Sequence, residues 1–172
     1  LEGFLFPATY RFYFDSSASV VLAAFLDNFK KRVDPLLTDG EEPNYSVIIV
    51  RLNLYTLKDI LTIASMIERE VPDKAERRIV AGIMYKRLKA GMALQIDATT
   101  EYAETYGDQF DTYKNPGLPP SPIANPGADA IDAAMSPKPS PYLYYLSDPK
   151  TKKTIFSETF DEHKANKEKY LR

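Results

Sequence analysis

Residues 56–72 carry the feature that most limits how this chain can fold: an apolar pattern with helical spacing between a start signal and a stop signal. Thr56, with Asp59 three residues later, resembles a capping box at the start of a helix. Pro72 ends the helix, because the residue before a proline is driven out of the α region. The apolar positions between these signals recur every three or four residues: Leu57, Ile60, Leu61, Ile63, Ala64, Ile67 and Val71.

Two glutamates lie in the last turn of this predicted helix. Because each residue turns the chain by roughly 100°, Glu68 and Glu70 lie roughly 200° apart and cannot act as a close pair. The positions one turn back from Glu70 are the more apolar, and the helix C-terminus disfavours a further negative charge, so both effects should raise its pKa. A general acid needs a raised pKa. The alternative is that both glutamates are solvated rim residues, which is usual for Glu.

The sequence also resembles a known family over nearly its whole length. The block at 64–70, followed by the block at 76–88, is similar to the hallmark of the endolytic murein transglycosylases, the YceG-like family. Further blocks agree in order and spacing: 2–10, 91–97, 117–127 and 141–145, the last leading to 156–157 and 162–163. Six blocks in the same order make the resemblance specific.

The resemblance implies an enzyme that cuts peptidoglycan strands between N-acetylmuramic acid and N-acetylglucosamine without water, leaving 1,6-anhydro ends. It assigns the catalytic acid to Glu70 and implies no cofactor and no metal. An ordinary glycosidase needs two carboxylates, whereas here the muramic acid C6 hydroxyl would be the nucleophile. The residues expected to contact substrate are Glu68, Gln95, Asp97, Thr99, Tyr113 and Asn125.

Several alternatives stay open at this stage. One is a glycoside hydrolase that recruits Asp97, Glu101 or Asp111 as a second carboxylate, and another is a glycan-binding module that has lost activity. Four positions depart from the usual family pattern, which has Asn, Pro, Asn and Asn there: Lys86, Ala98, Asp111 and Lys164.

Three polar residues each allow a structural and a functional interpretation. Asp97 could cap a helix over 98–105 or contact sugar. Gln95 has an amide that suits hydroxyl and N-acetyl groups, but it could equally satisfy nearby backbone. For His163 we expect a hydrogen bond between helix and body more readily than a substrate contact.

Composition narrows the classes of function. The net charge of −2 offers no basic field for nucleic acid. The absence of cysteine excludes disulfides and thiolate metal sites, and a single histidine excludes a His-rich metal site. No apolar run approaches the roughly 20 residues of a membrane span. Peptidoglycan strands are the expected partner, together with peptidoglycan synthases.

The chain begins inside a family motif, so it is interpreted as a fragment. Family members usually carry a membrane helix and a LysM-like region upstream, which would place this region at the extracytoplasmic face of the bacterial membrane.

The predicted fold class is α+β: one compact domain over 1–172, with several helices around a small antiparallel sheet and a glycan-binding groove. The groove would be floored by the Glu70 helix and walled by the Gln95 loop and a proline-rich loop at 115–127. In the N-terminal third, the other predicted elements are a strand at 4–14, a helix from 15–17 to Asp34-Pro35, a loop at 38–44, and a short strand or helical lead-in at 46–54. A further helix is predicted from an Asp73/Glu76 capping box to just before Gly91. At the C-terminus, a hairpin of 142–147 and 154–157 precedes a helix from a Thr159/Glu162 capping box to Tyr170.

Overall fold

The computed structural model describes residues 1–37 and 55–171. Its elements, in chain order, are α1 (Ala18–Leu37), α2 (Leu57–Glu70), α3 (Lys74–Lys89), α4 (Asp97–Tyr106), α5 (Ala128–Met135), β1 (Tyr144–Ser147), β2 (Thr154–Ser157) and α6 (Phe160–Tyr170). A short 3-10 turn over Asp108–Phe110 follows α4. The α+β prediction is confirmed. Within the described ranges, no helix is long and apolar enough to cross a bilayer.

The helix α2 lies at the centre of the core and contacts α3, α4 and α5. Its predicted capping box is confirmed: the N–H of Thr56 donates to Asp59 at 2.8 Å, and the N–H of Asp59 donates back to the Thr56 hydroxyl at 3.2 Å. Nine side chains of α2 are buried, and two of them, Thr62 and Ser65, are polar. Both hydroxyls donate to carbonyls of the preceding turn, which satisfies them without water.

The C-terminal hairpin and helix agree with the sequence prediction. Strand β1 pairs antiparallel with β2, and Tyr144 lies opposite Ser157. The Thr159/Glu162 capping box starts α6, which ends at Tyr170. The helix packs against both strands of the hairpin.

The strand predicted at 4–14 is wrong, because this segment is not a strand and pairs with none in the ranges that the structure describes. The N–H groups of Gly3 and Leu5 donate instead to the side-chain oxygen of Asn125, at 2.8 and 3.2 Å. The rings of Phe4, Tyr10 and Phe12 pack on α1, and the centroid of the Tyr10 ring lies 4.4 Å from that of Phe25. These three aromatic residues therefore contact a helix rather than a sheet.

Helix α1 begins near the predicted cap and continues past the predicted end. The Ser17 hydroxyl accepts from the N–H of Val20 at 3.4 Å. Pro35 lies inside the last turn, where a proline removes only the hydrogen bond to the carbonyl of residue 31. The predicted loop at 38–44 and the predicted strand or lead-in at 46–54 lie outside the described residues.

The predicted second capping box is only half present at the start of α3. Asp73 caps the helix by accepting from the N–H of Ala75 at 2.9 Å. The Glu76 carboxylate, however, accepts from the N–H of Thr154 at 3.2 Å. Glu76 therefore connects α3 to β2, a long-range contact that local spacing does not predict.

Two adjacent basic residues of α3 hold the chain that leads into the hairpin. The Lys86 ammonium donates to the carbonyls of Ser140, at 2.8 Å, and of Tyr142. The Arg87 Nε donates to the carbonyl of Leu143 at 2.8 Å. These bonds fix the hairpin relative to α3.

An ion pair between buried Arg77 and half-buried Glu68 fixes the C-terminal end of α2. Both terminal nitrogens of Arg77 donate to the Glu68 carboxylate, at 3.1 and 2.9 Å, and Nε donates to the carbonyl of Val71 at 2.9 Å. The same carboxylate accepts from the N–H of Gly127 at 3.0 Å, just before α5. One pair therefore joins three helices.

We expect Glu68→Gln to lower the free energy of unfolding by about 1–3 kcal/mol, because it leaves the buried Arg77 without its counter-charge. The side chain of Glu68 is 31% exposed, which keeps the loss below that of a fully buried pair. Glu101→Gln is the matched control, since its pair with Arg69 is exposed on both sides. Urea unfolding of both variants tests this, and equal losses would contradict it.

Candidate active site

A cavity of about 530 Å³ opens at the C-terminal end of α2. Its size lies within the range of small-molecule sites, roughly 300–1,000 Å³. Six parts of the chain line it: the end of α2, α3, the start of α4 with the loop before it, the segment after the 3-10 turn, the hairpin, and α6 with the residue after it. The polar residues that face it are Glu70, Arg87, Gln95, Asp97, Tyr113, Tyr144, Tyr145, Ser147, His163 and Lys167.

Glu70 is the last residue of α2 and is half-buried. Its Oε1 accepts from the N–H of Ala98 at 2.9 Å, in the first turn of α4. Burial raises the pKa of Glu70, the Ala98 hydrogen bond opposes the rise, and the charges of Asp97 and Glu101 add to it. The pKa lies above that of an ordinary glutamate, as the apolar neighbours in the sequence predict.

Asp97 is not the cap of α4, so that interpretation is wrong. The cap residue is Ile96, and Asp97 is the first residue of the helix. The Asp97 carboxylate accepts from the Tyr113 hydroxyl at 2.5 Å. Burial and this bond raise the pKa of Tyr113, so that the hydroxyl stays protonated. The structure therefore brings two predicted contacts, Asp97 and Tyr113, to the same cavity as Glu70.

Gln95 precedes this pair in an unusual backbone conformation. Its φ is 54°, in the left-handed region that non-glycine residues rarely adopt. Its N–H donates to the carbonyl of Thr112 at 3.2 Å, which holds the backbone in place. The side chain is exposed and makes no hydrogen bond within the described part of the chain. Its amide is available to the cavity rather than used on nearby backbone.

Three other predicted contacts do not line the cavity. The Thr99 side chain is buried and bonds to Ile96 and Thr112. Asn125 and Glu68 are held by the backbone and ion-pair contacts described above. Their polar groups are engaged inside the protein, so the structure gives them structural roles.

The proline-rich loop is also not a wall of this cavity. Its Ile123 N–H donates to the buried Ser65 hydroxyl at 3.0 Å, and its Pro122 lies against Gly3. The loop therefore packs on the N-terminal segment and α2. The hairpin and α6 form the wall instead.

Sequence reasoning missed the basic side of the cavity. Arg87 is buried and lies one turn after Met84, on the apolar face of α3. A charged residue at a core position of the sequence pattern could have indicated this basic group. His163 is buried, and its Nδ1 makes no hydrogen bond in the described ranges, so this nitrogen does not supply the predicted hydrogen bond between helix and body. Its ring stacks on Tyr144 at 5.3 Å instead.

The four departures from the family pattern have distinct surroundings. Lys86 anchors the chain before the hairpin, as described above. Asp111 is buried and accepts from the N–H of Tyr113 at 2.9 Å, outside the cavity lining. Lys164 pairs with Asp161 on the surface. Ala98 supplies an N–H to Glu70, which a proline at that position lacks.

Comparison with known proteins gives relatives over nearly the whole chain. It is 36% identical to an endolytic murein transglycosylase of Bacillus subtilis (strain 168), over 99% of this chain and 48% of that protein. It is 31% identical to one of Streptococcus pneumoniae (strain D39), over 96% of this chain and 31% of that protein. The chain thus spans about half the length of the first relative and about a third of the second.

A solved structure is similar as well. A crystal structure of a yceG-like protein from Listeria monocytogenes superimposes with a TM-score of 0.81 at 33% identity, covering 95% of this chain and 54% of that one. The profile of the YceG-like family matches residues 1–169. The chain therefore belongs to the YceG-like family.

Proposed function

We propose that this domain is the catalytic region of an endolytic peptidoglycan lytic transglycosylase. It would cleave the bond between N-acetylmuramic acid and N-acetylglucosamine and leave 1,6-anhydro ends. The observation that carries the proposal is the half-buried carboxyl group of Glu70, with a raised pKa, at the wall of a cavity of about 530 Å³. The names of the Bacillus and Streptococcus relatives support the same class of reaction.

In the first step, protonated Glu70 donates its proton to the glycosidic oxygen as the bond to muramic acid C1 breaks. In the second, the carboxylate takes the proton of the C6 hydroxyl while that oxygen bonds to C1. The proton lost in one step is regained in the other, and no water is consumed. The intramolecular hydroxyl replaces a bound nucleophile because its effective concentration is high.

The contacts of Glu70 suit both steps. Oε1 is fixed by the Ala98 N–H, which leaves Oε2 for the transferred proton. Burial favours the acid form that begins the cycle, and the N-terminus of α4 stabilises the carboxylate that follows. Burial raises the pKa of Glu70 and the Ala98 hydrogen bond lowers it, and this balance suits a group that first donates and then accepts a proton.

The neighbouring polar groups would hold the sugar. Gln95 offers both an N–H donor and a carbonyl acceptor for hydroxyl or N-acetyl groups. The Tyr113 hydroxyl and Asp97 carboxylate form a fixed pair beside the acid. Tyr144 and Tyr145 line the same space with aromatic rings, which suit the apolar faces of sugars.

A two-carboxylate hydrolase is the second candidate function. Of the three carboxylates that could serve as its second group, Asp97 has the most suitable position. Asp97 faces the cavity with Glu70, whereas Glu101 pairs with Arg69 and Asp111 is buried outside the lining. Hydrolysis would leave reducing ends, transglycosylation would leave anhydro ends, and a binding module that has lost activity would release neither.

The proposed substrate places the reaction at the extracytoplasmic face of the membrane. An upstream anchor and LysM-like region, and peptidoglycan synthases as partners, follow from the family resemblance and remain proposals. Nothing in the proposed chemistry needs a cofactor.

We expect Glu70→Gln to lower cleavage of purified peptidoglycan at least about a hundredfold, because the amide keeps the shape and cannot donate the proton. Mass spectrometry of the digest, with counting of anhydromuramic termini, is the measurement. Circular dichroism checks that the variant is folded. Cleavage near the level of the unsubstituted protein would remove Glu70 from the mechanism, and reducing ends from that protein would favour the hydrolase.

We expect Ala98→Pro to shift the alkaline limb of kcat/KM to higher pH. The substitution removes the N–H that lowers the pKa of Glu70, so the acid form persists as the pH rises. Proline is tolerated in the first turn of a helix. The matched control is Ala98→Gly, which keeps the N–H and should keep the limb in place. A downward shift in the proline variant would contradict this account.

We expect Asp97→Ala to lower turnover about tenfold or more with little change in melting temperature, because Asp97 makes no capping bond and its one hydrogen bond to the described residues comes from the Tyr113 hydroxyl. Gln95→Ala should also lower turnover at constant stability. Measurement of melting temperature and turnover on the same samples tests both. If either variant lost much stability but kept its activity per folded molecule, the substituted residue would have a structural role and would not belong to the site.

A further inference from the structure

The cavity has a basic side that the proposed reaction does not use. Arg87 reaches it from α3, and His163 and Lys167 reach it from α6. The last two lie four residues apart and therefore share one face of that helix. Glu70 and Asp97 line the same space, so the cavity carries acidic and basic groups together.

Arg87 is a buried cation without an acidic partner. Its side chain is only about one-twentieth exposed, and no carboxylate of the described ranges lies within ion-pair distance of it. Nε and Nη1 donate to the carbonyls of Leu143 and Leu94, at 2.8 and 2.7 Å, and the guanidinium lies over the Tyr144 ring at 5.2 Å. The nitrogen Nη2 donates to no group in the described part of the protein. A buried cation normally has a counter-charge, and this one has only dipoles and a ring.

The α6 residues extend this basic surface. Burial lowers the pKa of His163, and the charges of Lys167 and Arg87 lower it further, so the imidazole is favoured in its neutral, hydrogen-bonding form. The Lys167 ammonium is exposed and makes no ion pair within the described residues. Asp161 and Glu162 of the same helix are engaged with Lys164 and with the helix start.

We propose that Arg87 and Lys167, with His163 between them, form a subsite that binds a carboxylate of the glycan substrate beside Glu70. The identity of this ligand rests on the proposed function. Peptidoglycan carries carboxylates either on the lactyl ether of unsubstituted muramic acid or on its stem peptide, whereas chitin carries none. The subsite would let the domain distinguish peptidoglycan from neutral glycans of the same length.

The experiment uses the Glu70→Gln protein, so that ligands are not consumed during calorimetric titration. Three probes are compared: chitotetraose, a GlcNAc–MurNAc tetrasaccharide with free lactyl carboxylates, and the same tetrasaccharide bearing stem peptides. Lys167→Met is added to remove one charge of the subsite. Lys169→Met is the matched control, because its ammonium lies over the Tyr170 ring and not in the cavity lining.

We expect at least one carboxylate-bearing probe to bind about fivefold or more tightly than chitotetraose. Lys167→Met should remove most of that preference, because it removes one partly solvated charge contact with the carboxylate. Lys169→Met should leave the preference unchanged. His163→Phe, which keeps the ring stack, should also weaken it. Preference for the unsubstituted tetrasaccharide identifies the lactyl carboxylate, and preference for the peptide-bearing probe alone identifies the stem peptide.

Equal affinity for all three probes, no binding of any, or equal effects of the two lysine variants would overturn the proposal. Cleavage of purified peptidoglycan by the unsubstituted protein is measured separately. Cleavage without a carboxylate preference would overturn the subsite alone. A preference without cleavage would overturn the proposed reaction and leave the subsite in place.

Discussion

The ion pair between Glu68 and Arg77 is the interaction on which the rest of the site depends. It fixes the last turn of α2 against α3 and α5, and Arg77 also holds the carbonyl of Val71, directly after Glu70. The two glutamates that flank Arg69 therefore have different roles. Glu68 binds Arg77 and has a structural role. Because Arg77 is paired with Glu68 rather than with Glu70, burial can raise the pKa of Glu70.

The other half of the cavity is positioned from α3. Lys86 and Arg87 donate to backbone carbonyls between residues 140 and 143, so side chains attach the hairpin, which is a two-stranded sheet within the described ranges. Such charge-assisted bonds to carbonyls are stronger than neutral ones. They also bring the Arg87 guanidinium to the cavity, where one group both supports the hairpin and contributes positive charge.

Local signals in the sequence predicted the parts of the structure that depend on local contacts. The capping boxes at Thr56 and Thr159 and the hairpin follow from neighbouring residues, and the direction of the Glu70 pKa follows from the apolar residues one turn away. The strand at 4–14 and the Asp97 cap were wrong because Asn125 and Tyr113, distant in sequence, bind those groups. The basic side of the cavity was missed for the same reason, since α6 reaches Glu70 only through the folded hairpin.

The backbone of Gln95 has a consequence for how this domain could be made more robust. A non-glycine residue in a sparsely populated conformation costs of order 1–3 kcal/mol, and glycine would adopt a φ of 54° without that strain. A laboratory selection for heat resistance would therefore favour glycine at this position and discard the amide that faces the cavity. Thermal tolerance and sugar recognition compete for the same residue, so a stabilised version of this domain should be sought through changes elsewhere in the chain.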